Sequence, residues 1–493
     1  MPTSAEPRFS SPVDALRRTG RTVIAAQAAS QVVSLAVLAV LYRQLGVSPY
    51  GLMGMVIPVV ALARIIIASG LDVVTIQQTE LSDEQVSALF WVNQALGVAA
   101  ASLMGLGAPL VAWFFDAPEL SSLTLAMAGT LIVFVVGTQH QALLQRRLRL
   151  GTLAMLRLGA LSLGGLAATV VAVGGGEIWA LVAQQYVELV ALAGLAWWAE
   201  PWRPGWTIRG TGGRRLVGFG GHYMISSLAS YVVANVDKIL VGRVLGKVPL
   251  ALYSQAFGLA MKPVHVLNTP LAGVMLPALS RAVADRRQYA DLVLGFFRFI
   301  LLVMLPTGVG LAIVAPETMR VLGGPDWAPA GPILAVLALA MPLQSCHGAL
   351  SWVFASAGQA RRLSLASVLS AGVVCGGFSL GLYLGLLSGE PVLGVALGYT
   401  AGLAIVLPPY LVFALRGVGV PCREWLVQLH PAAPATVAMG LVVIAARWLL
   451  GRLLQLPDLP LLAGEVILGV ASYAFFARRA IRGFLHEAIR DLG

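Results

Sequence analysis

Apolar runs of about twenty residues, separated by short polar turns, recur along the chain. They fall at 22–41, 50–70, 87–114, 121–143, 152–173 and 177–198. A basic linker with glycine and proline, Glu200 to Arg215, separates these from runs at 216–242, 249–276, 292–315, 331–355, 363–387 and 392–415, with two more at 431–449 and 461–477. At about 1.5 Å of rise per residue, some twenty helical residues cross a hydrocarbon layer of about 30 Å. The pattern predicts an all-α integral membrane protein of about 14 transmembrane helices. The expected organisation is a cytoplasmic tail (1–21), a six-helix N-lobe (22–199), a cytoplasmic linker (200–215), a six-helix C-lobe (216–415), two further helices (416–477) and a cytoplasmic tail (478–493). The first run is too long for a signal-peptide core and lacks a convincing cleavage site, so it is expected to be retained.

The two lobes carry an internal repeat. Leu41-Tyr-Arg43-Gln-Leu45-Gly46-Val-Ser-Pro49-Tyr-Gly51 returns as Val241-Gly-Arg243-Val-Leu245-Gly246-Lys-Val-Pro249-Leu-Ala251, with Arg, Leu, Gly and Pro in register. Each copy joins two apolar runs, so the repeated object is a membrane hairpin. Two equivalent membrane lobes predict a transporter with its site at the seam between them.

Composition excludes a soluble enzyme: 58% of residues are hydrophobic and 11% charged, with a mean hydropathy of +0.84. The net charge of +11 speaks for membrane topology, not nucleic acid. With a cytoplasmic N-terminus, the inside segments collect Arg8 to Arg21, Arg146 to Arg149, Arg203 to Arg215, Arg281 to Arg287, Arg361 and Arg362, Arg416 and Arg423, and Arg478 to Arg490, or 22 of 33 basic residues. Outside segments hold Arg43, Arg243, Lys247, Arg320, Arg447 and Arg452. The expectation is a multi-pass inner-membrane protein with both termini cytoplasmic; the acidic inside stretch from Asp72 to Glu84 runs against the trend but weighs little. Outside loops are short, the longest being about Pro316 to Gly331, which leaves no room for an extramembrane catalytic domain.

Gly210-Thr-Gly-Gly213 lacks the lysine and preceding strand of a phosphate-binding loop and is read as flexible connection. No cofactor is expected beyond a coupling H+ or Na+. Cys346, Cys375 and Cys422 have no metal-ligand spacing and are read as packing residues. Gly377-xxx-Gly381-xxx-Gly385 and Gly394-xxx-Gly398-xxx-Gly402 allow close helix approach in lipid. Pro58, Pro263, Pro270, Pro277, Pro306 and Pro342 lie within spans, as hinges or as static bends.

Five cations lie within predicted spans: Arg64, Arg157, Lys238, Lys262 and Arg298. Each costs about 2.5–3.5 kcal/mol at a helix centre on insertion scales, so each needs a reason. Lys262 is mid-span, out of reach of either interface, and Arg64 lies two residues from the equivalent position in the other lobe. If both face the seam they form a basic pocket suited to a pyrophosphate, and they are the expected substrate-binding residues. Arg157 and Arg298 are further candidates for the same role; Arg64, Arg157 and Arg298 lie near enough to the cytoplasmic ends of their helices that each can instead snorkel to the headgroups. Asp237 and Lys238 point about 100° apart on a helix and are expected to pair with other residues. Asp237 is a candidate coupling-ion ligand or a member of a structural ion pair. Glu188, with Gln184 and Gln185, is a second such candidate, with His140 and His222 behind it.

Four stretches carry a family likeness: Tyr50-Gly51-Leu-Met-Gly-Met; Ile76-Gln77-Gln78 leading through Leu81-Ser82 to Phe90-Trp91-Val92-Asn93; Val236-Asp237-Lys238-Ile239 running to Gly242-Arg243 and Gly246; and Leu322-Gly323-Gly324-Pro-Asp-Trp327-Ala-Pro-Ala. In order and spacing they resemble the polysaccharide transporters, the Wzx and WzxC-like lipid-linked oligosaccharide flippases of the multidrug/oligosaccharidyl-lipid/polysaccharide superfamily. The resemblance implies a non-enzymatic inner-membrane flippase. It would pass an undecaprenyl-diphosphate-linked oligosaccharide outward for exopolysaccharide, capsule or O-antigen synthesis. Implied partners are that lipid-linked oligosaccharide, membrane lipids and polysaccharide polymerase or export machinery, with no nucleic acid. The family offers no single catalytic constellation to transfer. Rival readings are a peptidoglycan-precursor flippase, a multidrug or cation antiporter, which would favour intramembrane carboxylates over cations, and a polymerase or ligase, which would need a large outer loop.

Overall fold

A computed structural model describes residues 12–68, 74–76, 78, 81–206, 231, 235–430, 432–453 and 456–490. Every regular element among them is helical. The first group is α1 (Pro12–Leu45), α2 (Ser48–Ala68), α3 (Asp83–Leu106), α4 (Ala108–Phe115), α5 (Glu119–Arg146), α6 (Leu150–Val173) and α7 (Ile178–Ala199). After helical residues 235–245 come α8 (Lys247–Ala282), α9 (Arg286–Gly323), α10 (Ala330–Ser356), α11 (Ala360–Ser388) and α12 (Pro391–Val418). The short α13 (Cys422–Val427), α14 (Ala433–Arg447), a π-helical turn (Trp448–Leu453) and α15 (Asp458–Arg490) complete the chain.

Twelve of the described helices are long and apolar enough to cross a membrane. Fourteen is reached only by adding α8 and the run at 216–242, most of which lies outside the described residues, as does His222. Ser254, Gln255, Lys262, His265, Asn268 and Thr269 make α8 less apolar than its neighbours.

Two expectations change. The run at 87–114 is two helices, because the chain breaks at Gly107 and Pro109 starts α4; proline is tolerated in a first helical turn but interrupts a helix interior. The outer loop expected from Pro316 to Gly331 is mostly helix. α9 runs through Pro316 to Gly323, and Gly324 turns the chain at φ 79°. A one-turn 3-10 helix then carries Trp327, which is fully buried against Gly323.

The chain divides into two compact units, Met1–Asn235 with Gly242–Lys247, and Val236–Val241 with Val248–Gly493. In the first, α1 packs on α6, α6 on α7, and α2, α3, α5 and α7 on one another. Both repeat turns fall in this unit and share one geometry. Gly46 and Gly246 are left-handed at φ 67° and 85°, and their amides donate to the carbonyls of Tyr42 and Gly242 at 3.3 and 3.2 Å. Gly51 of the first copy lies directly against the Lys247 carbonyl of the second. Lys247 Nζ reaches Glu119 Oε1 at 2.9 Å; such an exposed pair contributes about 0–1 kcal/mol.

Apolar burial between helices gives little drive in lipid, where close packing and interhelical hydrogen bonds decide the fold. In the first unit Tyr186 and Trp197 of α7 donate to the carbonyls of Ala126 and Val136 on α5, at 2.6 and 2.9 Å. In the second unit α9 packs on α10 and α10 on α12, while α14 and α15 lean on α9. The glycine rows of α11 and α12 meet backbone to backbone: a Cβ at Gly381 or Gly398 would collide with the carbonyl of Gly394 or Gly377.

Candidate functional site

In the first unit the buried polar centre forms where α2, α5 and α7 meet. Arg64 of α2 is half-buried and its guanidinium stands 5.2 Å from the centre of the Phe134 ring on α5. A cation over an aromatic face is held by the ring quadrupole, at about 0.5–2 kcal/mol. Arg64 Nε and Nη2 are shielded from water and make no hydrogen bond to a described residue. Glu188, half-buried near the middle of α7, acts on Arg64 through its field; Gly164 of α6 is pressed against its Cβ. Three helices thus hold a guanidinium whose donors are not consumed by a bidentate carboxylate.

The second unit holds an acidic counterpart. Asp237 is 2% exposed. Tyr253 Oη of α8 donates to its Oδ2 at 2.9 Å, while Oδ1 has no hydrogen-bond partner among the described residues. Aromatic rings enclose the pair. Tyr253 packs on Phe257, Phe257 on Tyr399, and Tyr399 stacks on Phe378 with 5.4 Å between ring centres. Tyr399 Oη is fixed by a 3.1 Å bond to Gln344 Oε1 on α10. Lys238 turns to a different partner, with Nζ 5.6 Å over the Phe257 ring.

The remaining sequence candidates are scattered. Lys262 lies half-buried in the middle of α8, next to Pro263. Arg298 of α9 is half-buried, with its guanidinium against Gly483 of α15. Arg157 is exposed on α6. His140 is fully buried, stacked on Trp197 at 4.3 Å and hydrogen-bonded to the Trp202 carbonyl at 3.1 Å, which is a packing role.

Sequence reasoning missed a charged knot in the second unit. Glu317 and Arg320 of α9, Arg447 of α14, and Asp458 and Glu465 of α15 converge. By hydrophobic length Glu317 falls in a loop; the i,i+3 spacing of Glu317 and Arg320, that of one helix face, is the signal for helix. The knot adjoins an apolar groove of about 650 Å³ between α9, α14 and α15.

Comparison with known proteins shows the family and the fold. The family model for "Polysaccharide biosynthesis protein" matches residues 40–332. The teichuronic acid biosynthesis protein TuaB of Bacillus subtilis (strain 168) is 29% identical over 282 residues, covering 56% of this chain and 58% of that protein. The lipopolysaccharide biosynthesis protein WzxC of Escherichia coli (strain K12) is 23% identical over 317 residues, covering 62% and 63%. The matches thus span about three-fifths of these curated relatives. Among solved structures, the lipid II flippase MurJ in an inward closed conformation aligns with a TM-score of 0.71 over 94% of this chain and 99% of that one, at 14% identity. That likeness is one of fold.

Proposed function

The chain belongs to the polysaccharide biosynthesis protein family, and from that premise we propose that it is a flippase. In this reading it moves an undecaprenyl-diphosphate-linked oligosaccharide from the cytoplasmic to the outer leaflet of a bacterial inner membrane by alternating access, without covalent chemistry. The saccharide is destined for exopolysaccharide, capsule or O-antigen, and both termini lie in the cytoplasm.

Arg64 is the observation that carries the reading. A guanidinium inside a helix bundle is costly unless something anionic meets it. Its Nε and Nη2 lack hydrogen-bond acceptors among the described residues, and a guanidinium fork matches phosphate oxygens in two-point fashion. Phe134 and Glu188 orient it, so the pyrophosphate meets a positioned donor and not a mobile one. Lys262, half-buried in the middle of α8, and Arg157 and Arg298 are further headgroup-binding candidates, each to be tested by its own Ala variant. The prenyl tail stays among the acyl chains.

Asp237 supplies the coupling. A buried carboxylate with one oxygen held by Tyr253 and the other open to a proton or a sodium ion can load and unload as its access to water changes. Glu188 acts on Arg64 through its field, without a hydrogen bond to Nε or Nη2.

The test is reconstitution in liposomes with a fluorescent lipid-linked oligosaccharide, with and without a proton or sodium gradient. Flipping by the wild type, lost in Arg64→Ala protein that still inserts, supports the proposal. Equal flipping by the variant overturns the site, and a preference for a peptidoglycan precursor as the second substrate overturns the saccharide assignment.

A further inference from the structure

The apolar groove of the second unit has one end that its lining does not explain. Leu302, Val303 and Leu311 of α9 and Val443 of α14 are among the residues that form its walls, with Tyr473 of α15 donating at 2.6 Å to the Leu302 carbonyl. At the end nearest the turn between α14 and α15 the lining includes Glu465. This carboxyl group is fully buried, seven residues into α15, or about 10 Å along the helix.

Among the described side chains, the charges around Glu465 do not balance. Arg320 Nη2 donates to Glu317 Oε1 at 2.9 Å, and Arg447 Nη2 meets the same oxygen. Arg320 Nε also holds Asp458 Oδ1 at 3.1 Å, and Arg447 Nη1 holds the Ile313 carbonyl at 2.9 Å. Both guanidiniums are thereby committed. Glu465 is left 4.0 Å from Arg447 Nε. Neither of its oxygens, nor Oε2 of Glu317, accepts a hydrogen bond from a described residue. Three carboxylates share two guanidiniums among the described side chains, and the surplus falls on a completely buried one. An unsolvated carboxylate without hydrogen bonds is far more costly than the neutral acid.

We propose that Glu465, Glu317 and Arg447 form a proton-binding site at the turn end of the groove, in which a proton on Glu465 fastens α15 to α9 and α14. With the proton in place, Glu317 and Asp458 balance Arg320 and Arg447. When the O–H bond of Glu465 breaks and the proton passes to water, the new carboxylate competes with Glu317 for Arg447. The attachment of α15 at this end then loosens. Among the described side chains, the charged groups facing Glu465 are Glu317 and Arg320 on α9, Arg447 on α14 and Asp458 on its own helix; Tyr473 lines the groove two turns below.

Infrared spectra of the detergent-purified full chain, taken across a pH titration, test this directly. In an Asp237→Asn background, which removes the other proposed proton carrier, a protonated-carboxyl stretching band is expected at neutral pH, fading as pH rises, and is lost when Glu465→Gln is added. The unfolding temperature of the wild type should fall over the same pH interval and that of Glu465→Gln should stay level. Should Glu465→Gln fail to fold, Asp237→Asn protein with 13C-labelled glutamate carboxyls decides, because the band must shift if a glutamate carries the proton. A band whose loss with rising pH is unchanged in the Glu465→Gln, Asp237→Asn double variant, or that ignores the glutamate label in the Asp237→Asn background, overturns the proposal. No substrate enters these measurements, so their outcome is separate from that of the flipping assay.

Discussion

Tyr253 donates its phenolic proton to Asp237 across 2.9 Å, inside a shell of rings and with both side chains buried. Losing a hydrogen bond to a buried charged group costs about 1.5–3 kcal/mol. Tyr253→Phe should therefore lose about 1.5–3 kcal/mol of stability, read as a lower unfolding temperature in detergent. Asp237→Asn, which keeps the shape but cannot change charge, should insert normally and lose the gradient dependence of flipping. An Asp237→Asn protein that still responds to a proton or sodium gradient would remove Asp237 from the coupling step.

Arg64 offers a sharper comparison. Arg64→Ala should lower flipping at least about tenfold, equivalent to about 1.4 kcal/mol of lost binding or more. Arg64→Lys should recover part of it, since an ammonium retains charge but not the fork. If Arg64 served only as the partner of Glu188, then Arg64→Ala, Glu188→Gln and the double variant would be equally impaired, with no loss specific to substrate. That double-mutant cycle separates ligand binding from internal pairing.

The glycine rows make a purely structural prediction. Gly381→Val or Gly398→Val forces α11 and α12 apart, at a cost of at least about 1–3 kcal/mol by analogy with overpacked cores. Reduced accumulation and a lowered unfolding temperature should follow. Gly372, in α11 with open space at its Cβ position, is the control: Gly372→Ala should be neutral.

Arg146 gives a fourth. It sits at the end of α5 and donates to the Thr75 carbonyl at 2.8 Å and to that of Gln78. Arg146→Ala should lose about 1.5–3 kcal/mol of stability, the usual worth of a hydrogen bond to a charged donor. Arg203→Ala, whose bonds run to carbonyls one and three residues away, should lose less.

Hydrophobic length alone was enough to read most helices, because a bilayer demands about twenty apolar residues per crossing. It failed where polarity and helicity part company. α9 continues past Pro316 through Glu317 and Arg320, which look like loop residues until Arg447 and Asp458 are seen opposite them. It also could not assign work to individual charges. Arg146, Arg147 and Arg149 counted as topology signals, yet Arg147 pairs with buried Glu200 at 2.7 Å and Arg149 caps the Ala199 carbonyl at the end of α7. Asp237 was marked as a candidate from its burial in an apolar run, but its partner Tyr253, sixteen residues on, was visible only once α8 was folded back.

The contact between Gly377, Gly381, Gly394 and Gly398 has a mechanical meaning. Where main chain rests on main chain there are no rotamers to rearrange, so α11 and α12 yield little to a shear along their length. The pair can behave as a stiff strut. Any change of shape in this part of the second unit then has to be made by the side chains projecting from its flanks, leaving the strut itself untouched.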